Sequence, residues 1–131
     1  MNRGRIKRAL VVDDDQEIRT AIKAALTRAG YEVEASGHLP SAVGAGLSRD
    51  YTIITLDLSM PDISGQEIAT MLKVCGVSTP VLVVSGNLND ETVTQLRQLG
   101  IRHYLHKPFT VPDLLTAVQE AVSGLPDEPS E

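Results

Sequence analysis

Four groups of polar residues in this chain stand within or directly after runs of apolar residues, and their types suit one kind of chemistry. Asp13, Asp14 and Asp15 follow the run at 9–12, and Asp57 falls in the run at 52–58. Ser85 follows the run at 81–84, and His106 and Lys107 follow the run at 102–105, with Pro108 next. Carboxylates brought together repel one another and raise each other's pKa unless a cation lies between them. A small hard cation answers that need. Mg²⁺ uses one or two carboxylates and keeps positions open for water or phosphate oxygens. A lysine opposite the carboxylates and a serine hydroxyl would each contact a phosphoryl oxygen. Metal, ammonium, hydroxyl and a spare carboxylate together suit phosphoryl transfer, where positioning and charge stabilisation do most of the catalysis.

The elements that must position these groups can be read from periodicity. Five short apolar or β-prone runs occur at 9–12, 31–35, 52–58, 81–84 and 102–105. The first, third and fourth are nearly unbroken, as expected of parallel strands buried on both faces. Helical patterns lie between them. The clearest places Ile18, Ala21, Ile22, Ala25, Leu26 and Ala29 on one face and ends at Gly30. A weaker pattern at 40–47 contains Gly44 and Gly46, each unfavourable in a helix by ~1 kcal/mol. Others are expected at 65–74, at 90–99 with Asn89 as cap and Gly100 as stop, and at 112–122 with Thr110 as cap. Alternating strands and helices with short connections imply an α/β fold, a parallel sheet with helices on both faces. Ligands bind such sheets beyond the carboxyl ends of the strands, where the four polar groups fall.

Composition narrows the class. The chain has 131 residues, enough for one domain, here 1–124, with 125–131 as a disordered tail or the start of a linker. A net charge of −5 argues against a nucleic-acid surface, and Arg3, Arg5 and Lys7 read as a solvated basic lead. Cys75 is the only cysteine, so no internal disulfide can form. No run is long enough to span a membrane and no signal peptide is evident, so a cytoplasmic location is expected.

The segments LVVDDD, ITLDLSMPDISG, VLVVSG and YLHKPF, in this order and spacing, resemble the receiver domains of two-component response regulators. The resemblance covers nearly the whole chain. It implies a flavodoxin-like, doubly wound sheet of five parallel strands in the order 2-1-3-4-5, a topology of which members of this family are examples. It also implies residue roles. Asp57 would be the phosphoacceptor. Asp14 would bind Mg²⁺ directly and Asp13 more often through water, with the backbone carbonyl of Ser59 as a further ligand. Ser85 and Lys107 would contact the phosphoryl group, and Lys107–Pro108 would be cis. Tyr104 would be a switch aromatic. The resemblance implies a sensor histidine kinase or phosphotransfer protein as donor and an output partner that the residues do not name. It implies a signalling module that catalyses only its own phosphorylation and dephosphorylation, with output through the 90–99 helix, the fifth strand and the 112–122 helix.

Gln16, Gly86 and Tyr51 depart from common family usage, and none removes a site residue. Asp15, Asp50, Asp62 and Asp90 read as caps, turns or solvated surface. His38, His103 and His106 lack metal-ligand spacing. Two other functions compete. Asp13-x-Asp15 after a strand resembles the nucleophile and acid of a haloacid-dehalogenase-type phosphatase, but that leaves Asp57 without a role. A degenerate receiver that binds partners without phosphorylation is opposed by the intact set Asp13, Asp14, Asp57, Ser85 and Lys107. A free-standing protein and a receiver belonging to a longer chain both remain open.

Overall fold

The computed structural model describes residues 6–37, 51–57, 79–86 and 88–124. In chain order the elements are β1 (Arg8–Val12), α1 (Gln16–Arg28), β2 (Glu32–Ser36), β3 (Ile53–Leu56), β4 (Val81–Ser85), α2 (Asp90–Gln98), β5 (His103–His106) and α3 (Val111–Ser123). The strands form one sheet in the order β2-β1-β3-β4-β5, every neighbouring pair parallel. This is the doubly wound, flavodoxin-like order expected from the sequence. The helices expected at 40–47 and 65–74 lie outside the described residues, as do the 125–131 tail, Cys75, His38 and Ser59.

The unbroken apolar runs are explained by what covers each face. Successive residues of a strand point to opposite sides. Ala9 and Val11 of β1, with Ile53, Leu82 and Val84, pack against Ile22, Ala25 and Leu26 of α1 and Leu114, Val118 and Ala121 of α3. Leu10 and Val12, with Ile54, Leu56, Val81 and Val83, pack on the other side with Leu96 of α2, Ile101 and Tyr51. Burying a Leu or Ile side chain contributes about 1.5–3 kcal/mol, so both layers need strands apolar on both faces. The edge strand β2 is mostly exposed or half-buried and accordingly reads as mixed polar and apolar.

Helix ends follow local chemistry. Asp15 caps α1, accepting from the amides of Glu17 (2.9 Å) and Ile18 (3.3 Å). Asn89 caps α2 through the Thr92 amide, and Thr110 caps α3 through the Asp113 amide. Such caps are worth about 1 kcal/mol each. Gly30 and Gly100, at φ of 98° and 88°, end α1 and α2 in a conformation costly for other residues. Lys7, read as part of a solvated lead, is exposed but has partners. Its ammonium donates to the Ala29 carbonyl at the end of α1 and sits 4.7 Å from the Tyr31 ring centroid. A cation there complements the helix dipole.

The third strand is shorter than its apolar run. Thr52 lies before it, its hydroxyl accepting from the Arg8 amide. Asp57 follows it, though its amide still donates to the Val12 carbonyl at 2.9 Å. Similar bonds run from the Asp13 amide to the Ser36 carbonyl (3.1 Å) and from the Lys107 amide to the Ser85 carbonyl (2.9 Å). The parallel ladder thus extends one bond past the ends of β1, β3 and β5, and those bonds belong to polar residues of the candidate site.

Candidate functional site

Beyond the carboxyl ends of β1, β3 and β5, three side chains meet. The Lys107 ammonium stands 3.0 Å from Asp13 Oδ2 and 3.3 Å from Asp57 Oδ2. Both carboxylates are almost fully buried, with residue exposures of 1% and 2%. Asp13 Oδ1 accepts from the Asp15 amide at 2.9 Å. The same Asp15 caps α1, so one turn shapes both the helix start and the orientation of the Asp13 carboxylate.

Asp14 differs. It is exposed, and its carboxylate has no hydrogen-bond or ion-pair partner among the described residues. Carboxylate oxygens of Asp13, Asp14 and Asp57 nevertheless lie within 4.8 Å of one another. Oxygens on opposite sides of Mg²⁺ are ~4.2 Å apart, from a metal–oxygen distance of about 2.1 Å. Small side-chain rotations would therefore let this donor set close on such an ion. Among the described residues three carboxylates face one ammonium, so the charge count also favours a cation.

The electrostatics carry the same imbalance. Burial raises the Asp13 carboxyl above the ordinary carboxylate range, and the Asp57 charge adds to it. The Asp15 amide and Lys107 pull the other way without cancelling the rise. Burial alone would lower the Lys107 ammonium. Its hydrogen bond to Asp13 and the charges of Asp57 and Asp13 outweigh that, leaving it raised.

Ser85 ends β4, fully buried, in register with His106 of β5. The Lys107–Pro108 peptide is cis. Tyr104 pairs in register with Val83 and packs inward against the α2-side core with Leu88 and Leu99. Its hydroxyl donates to the Ile101 carbonyl at 2.6 Å, and the Ile101 amide donates to the Leu96 carbonyl of α2 at 2.9 Å. Tyr104 therefore ties β5 to the end of α2. His103 and His106 join no group of potential metal ligands among the described residues. Tyr51, where the family often has a polar residue, is buried and donates to Glu34 Oε1 at 2.6 Å. Ser59 lies outside the described residues.

The profile of the response regulator receiver domain matches residues 9–119. The chain belongs to this family. The receiver is 31% identical over 115 residues to the cell cycle response regulator CtrA of Brucella ovis, covering 88% of this chain and 50% of that protein. It thus spans about half the length of the curated relatives it matches. The receiver is also similar to the chemotaxis protein CheY4 of Vibrio cholerae, with a TM-score of 0.84 and 25% identity, covering 89% and 99% of the two chains. A response regulator of Burkholderia pseudomallei, solved with a phosphorylated aspartic acid, a calcium ion and citrate, matches at a TM-score of 0.79 and 28% identity, covering 90% of this chain and 69% of that one. The receiver is accordingly a phosphoacceptor signalling module. Among the described residues no helix is long and apolar enough to cross a membrane.

Two contributions are not evident from motif spacing. Asp15 orients Asp13 through its amide, which no residue type reveals. Arg19 donates from Nη1 to the Asp13 carbonyl at 2.7 Å. Its one sequence signal is a cation in the first turns of a helix, where the dipole disfavours it.

Proposed function

We propose that this receiver takes a phosphoryl group onto Asp57 from the phosphohistidine of a sensor histidine kinase or phosphotransfer protein, and works in the cytoplasm. The observation that carries the reading is the pairing of Lys107 with both Asp13 and Asp57 beside the exposed Asp14. Asp13, Asp14 and Asp57, with the Ser59 carbonyl, would hold Mg²⁺. That ion would neutralise the carboxylate cluster and the charge of the incoming phosphoryl group.

A carboxylate oxygen of Asp57 forms the new bond to phosphorus as the bond from phosphorus to the donor imidazole nitrogen breaks, and the imidazole leaves with its electron pair. Lys107 lies 3.3 Å from the Asp57 carboxylate and would pair with a phosphoryl oxygen. The Ser85 hydroxyl would donate to another. Its move toward the phosphoryl group would free space for Tyr104 to turn further inward. That turn would give up the Ile101 bond and alter the end of α2, so output would run through α2, β5 and α3 (the 90–99, fifth-strand and 112–122 segments). The module catalyses only its own modification and has no steady substrate turnover.

The phosphatase reading would need Asp15 as general acid, yet its carboxylate is engaged by the Glu17 and Ile18 amides. The test is to mix the receiver with a phosphorylated histidine-kinase domain carrying labelled phosphate. Transfer of label to the receiver, without sustained hydrolysis of p-nitrophenyl phosphate, is expected. Sustained turnover of the phosphomonoester without label transfer would overturn the reading.

A further inference from the structure

We infer that Arg19 is a positioning residue for the divalent-cation site, acting through the Asp13–Asp14 peptide, and that Gly37 is a glycine because Arg19 needs the space. This rests on the metal reading of Asp13, Asp14 and Asp57.

Every polar group of Asp13 has a partner. Its amide donates to Ser36, its carbonyl accepts from Arg19 at 2.7 Å, Oδ1 accepts from the Asp15 amide and Oδ2 from Lys107. Asp14 is the opposite case, exposed and without a side-chain partner among the described residues. Its starting direction is therefore set by the backbone. The peptide plane that leads into Asp14 contains the Asp13 carbonyl, because the amide is planar. The Arg19 bond to that carbonyl is charge-assisted and so among the stronger kinds. Holding the carbonyl holds the plane, and with it the position from which Asp14 reaches the ion.

Gly37 supplies independent support. Its φ is not in the positive region that favours glycine. A Cβ built there would lie 2.7 Å from Arg19 Nη1 and 3.5 Å from its Cζ, while the Asp13 carbonyl oxygen would be 3.6 Å away. Among the described residues only the guanidinium would clash, and a flexible side chain can withdraw. The absent Cβ thus makes room for Arg19 rather than for the backbone. Arg19 is also placed in the first turns of α1, against the helix dipole, where a merely solvated arginine gains nothing.

Charge and positioning predict opposite signs. An arginine that only adds positive charge near a cation site weakens binding, so its removal would tighten Mg²⁺. A positioning arginine does the reverse. The test is Mg²⁺ affinity by titration calorimetry for the full chain and for Arg19→Ala, Gly37→Ala and the double variant. Metal-free thermal melts check folding. The phosphorylation rate with acetyl phosphate is followed against Mg²⁺ concentration. Each single variant should weaken Mg²⁺ about tenfold, the low end of the losses seen when a supporting hydrogen bond to a metal site is removed. The double variant should be no weaker than Arg19→Ala, since Gly37→Ala then has nothing to displace. The rate deficit should shrink as Mg²⁺ is raised. Unchanged or tighter binding in Arg19→Ala, or additive losses in the double variant, would overturn the inference. If Arg19→Ala does not fold, unchanged binding in Gly37→Ala would do so alone. A parent protein that binds no Mg²⁺ would sink the metal reading itself, a different outcome from a parent that binds and variants that bind equally.

Discussion

Lys107 is closer to Asp13 than to Asp57, 3.0 Å against 3.3 Å, and its one ammonium is shared by two buried carboxylates just past the ends of different strands. How tightly Asp13 and Lys107 hold their protons sets how the protein should respond to pH and to metal.

The Asp13 carboxyl is raised chiefly by burial. Its folded pKa exceeds the unfolded value of about 3.9. The folded chain then binds this proton more tightly, so the contribution to stability is full below about 3.9 and is lost as pH rises through the raised folded value. Lys107 is also raised, so its contribution is full below about 10.4 and constant across the acid range. Without metal, the stability of the parent relative to Asp13→Asn should fall as pH climbs from about 3.9 through that window. Mg²⁺ competes with these protons, so it should raise the Tm at neutral pH and much less near pH about 4. Thermal melts across pH, with and without Mg²⁺, check both. A flat difference between parent and variant would contradict the assigned cause.

Asp14 and Asp13 should differ as ligands. The Asp14 carboxylate is exposed and without a partner among the described residues, whereas both Asp13 oxygens are engaged. Asp14→Asn should cost at least about tenfold in Mg²⁺ affinity, more than Asp13→Asn. It should leave metal-free stability within about 0.5 kcal/mol, as for an exposed site. Titration calorimetry and urea melts measure these quantities. A larger affinity loss at Asp13 would reverse the roles.

The framework around these residues was legible because it rests on local rules. Asn89, Thr110, Gly30 and Gly100 mark helix ends, and the apolar runs of β1, β3 and β4 report burial on both faces. The partners within the site were not legible in the same way. That Asp15 turns its amide to Asp13, that Arg19 reaches back over a turn to a carbonyl, and that Gly37 leaves room for it depend on three-dimensional approach. Residue type carries no record of a backbone contact. The boundary of β3 was also obscure, because Thr52 and Asp57 flank it with bonds that resemble a continuing ladder.

Thr55, two residues before Asp57 on β3, tests how polar the ground beneath the site needs to be. Its hydroxyl oxygen is buried with no hydrogen-bond partner among the described residues. An unsatisfied buried hydroxyl is a penalty that an isosteric methyl removes. Thr55→Val should therefore stabilise the fold by about 1 kcal/mol and leave Mg²⁺ affinity unchanged. Denaturant melts would show this, and a clear loss of stability would mean that the hydroxyl serves a purpose.

Tyr104 should report the phosphoryl state through Ser85. In this structure its ring is packed inward and its hydroxyl is held by the Ile101 carbonyl. A coupling of about 1–3 kcal/mol is enough for a useful shift between two ring positions. With a beryllofluoride mimic, the Tyr104 ring resonances should shift in the parent and shift much less in Ser85→Ala. NMR with labelled tyrosine measures both. Equal shifts would show that coupling bypasses the serine hydroxyl.

All of these roles depend on Asp57 accepting the phosphoryl group, and intact mass spectrometry after incubation with Mg²⁺ and acetyl phosphate reads that event itself. The parent should gain the mass of one phosphoryl group. Asp57→Asn should gain none, although its Lys107–Asp13 pair remains to keep the fold. A mass gain that persists in Asp57→Asn would put the acceptor elsewhere and refute the assignment.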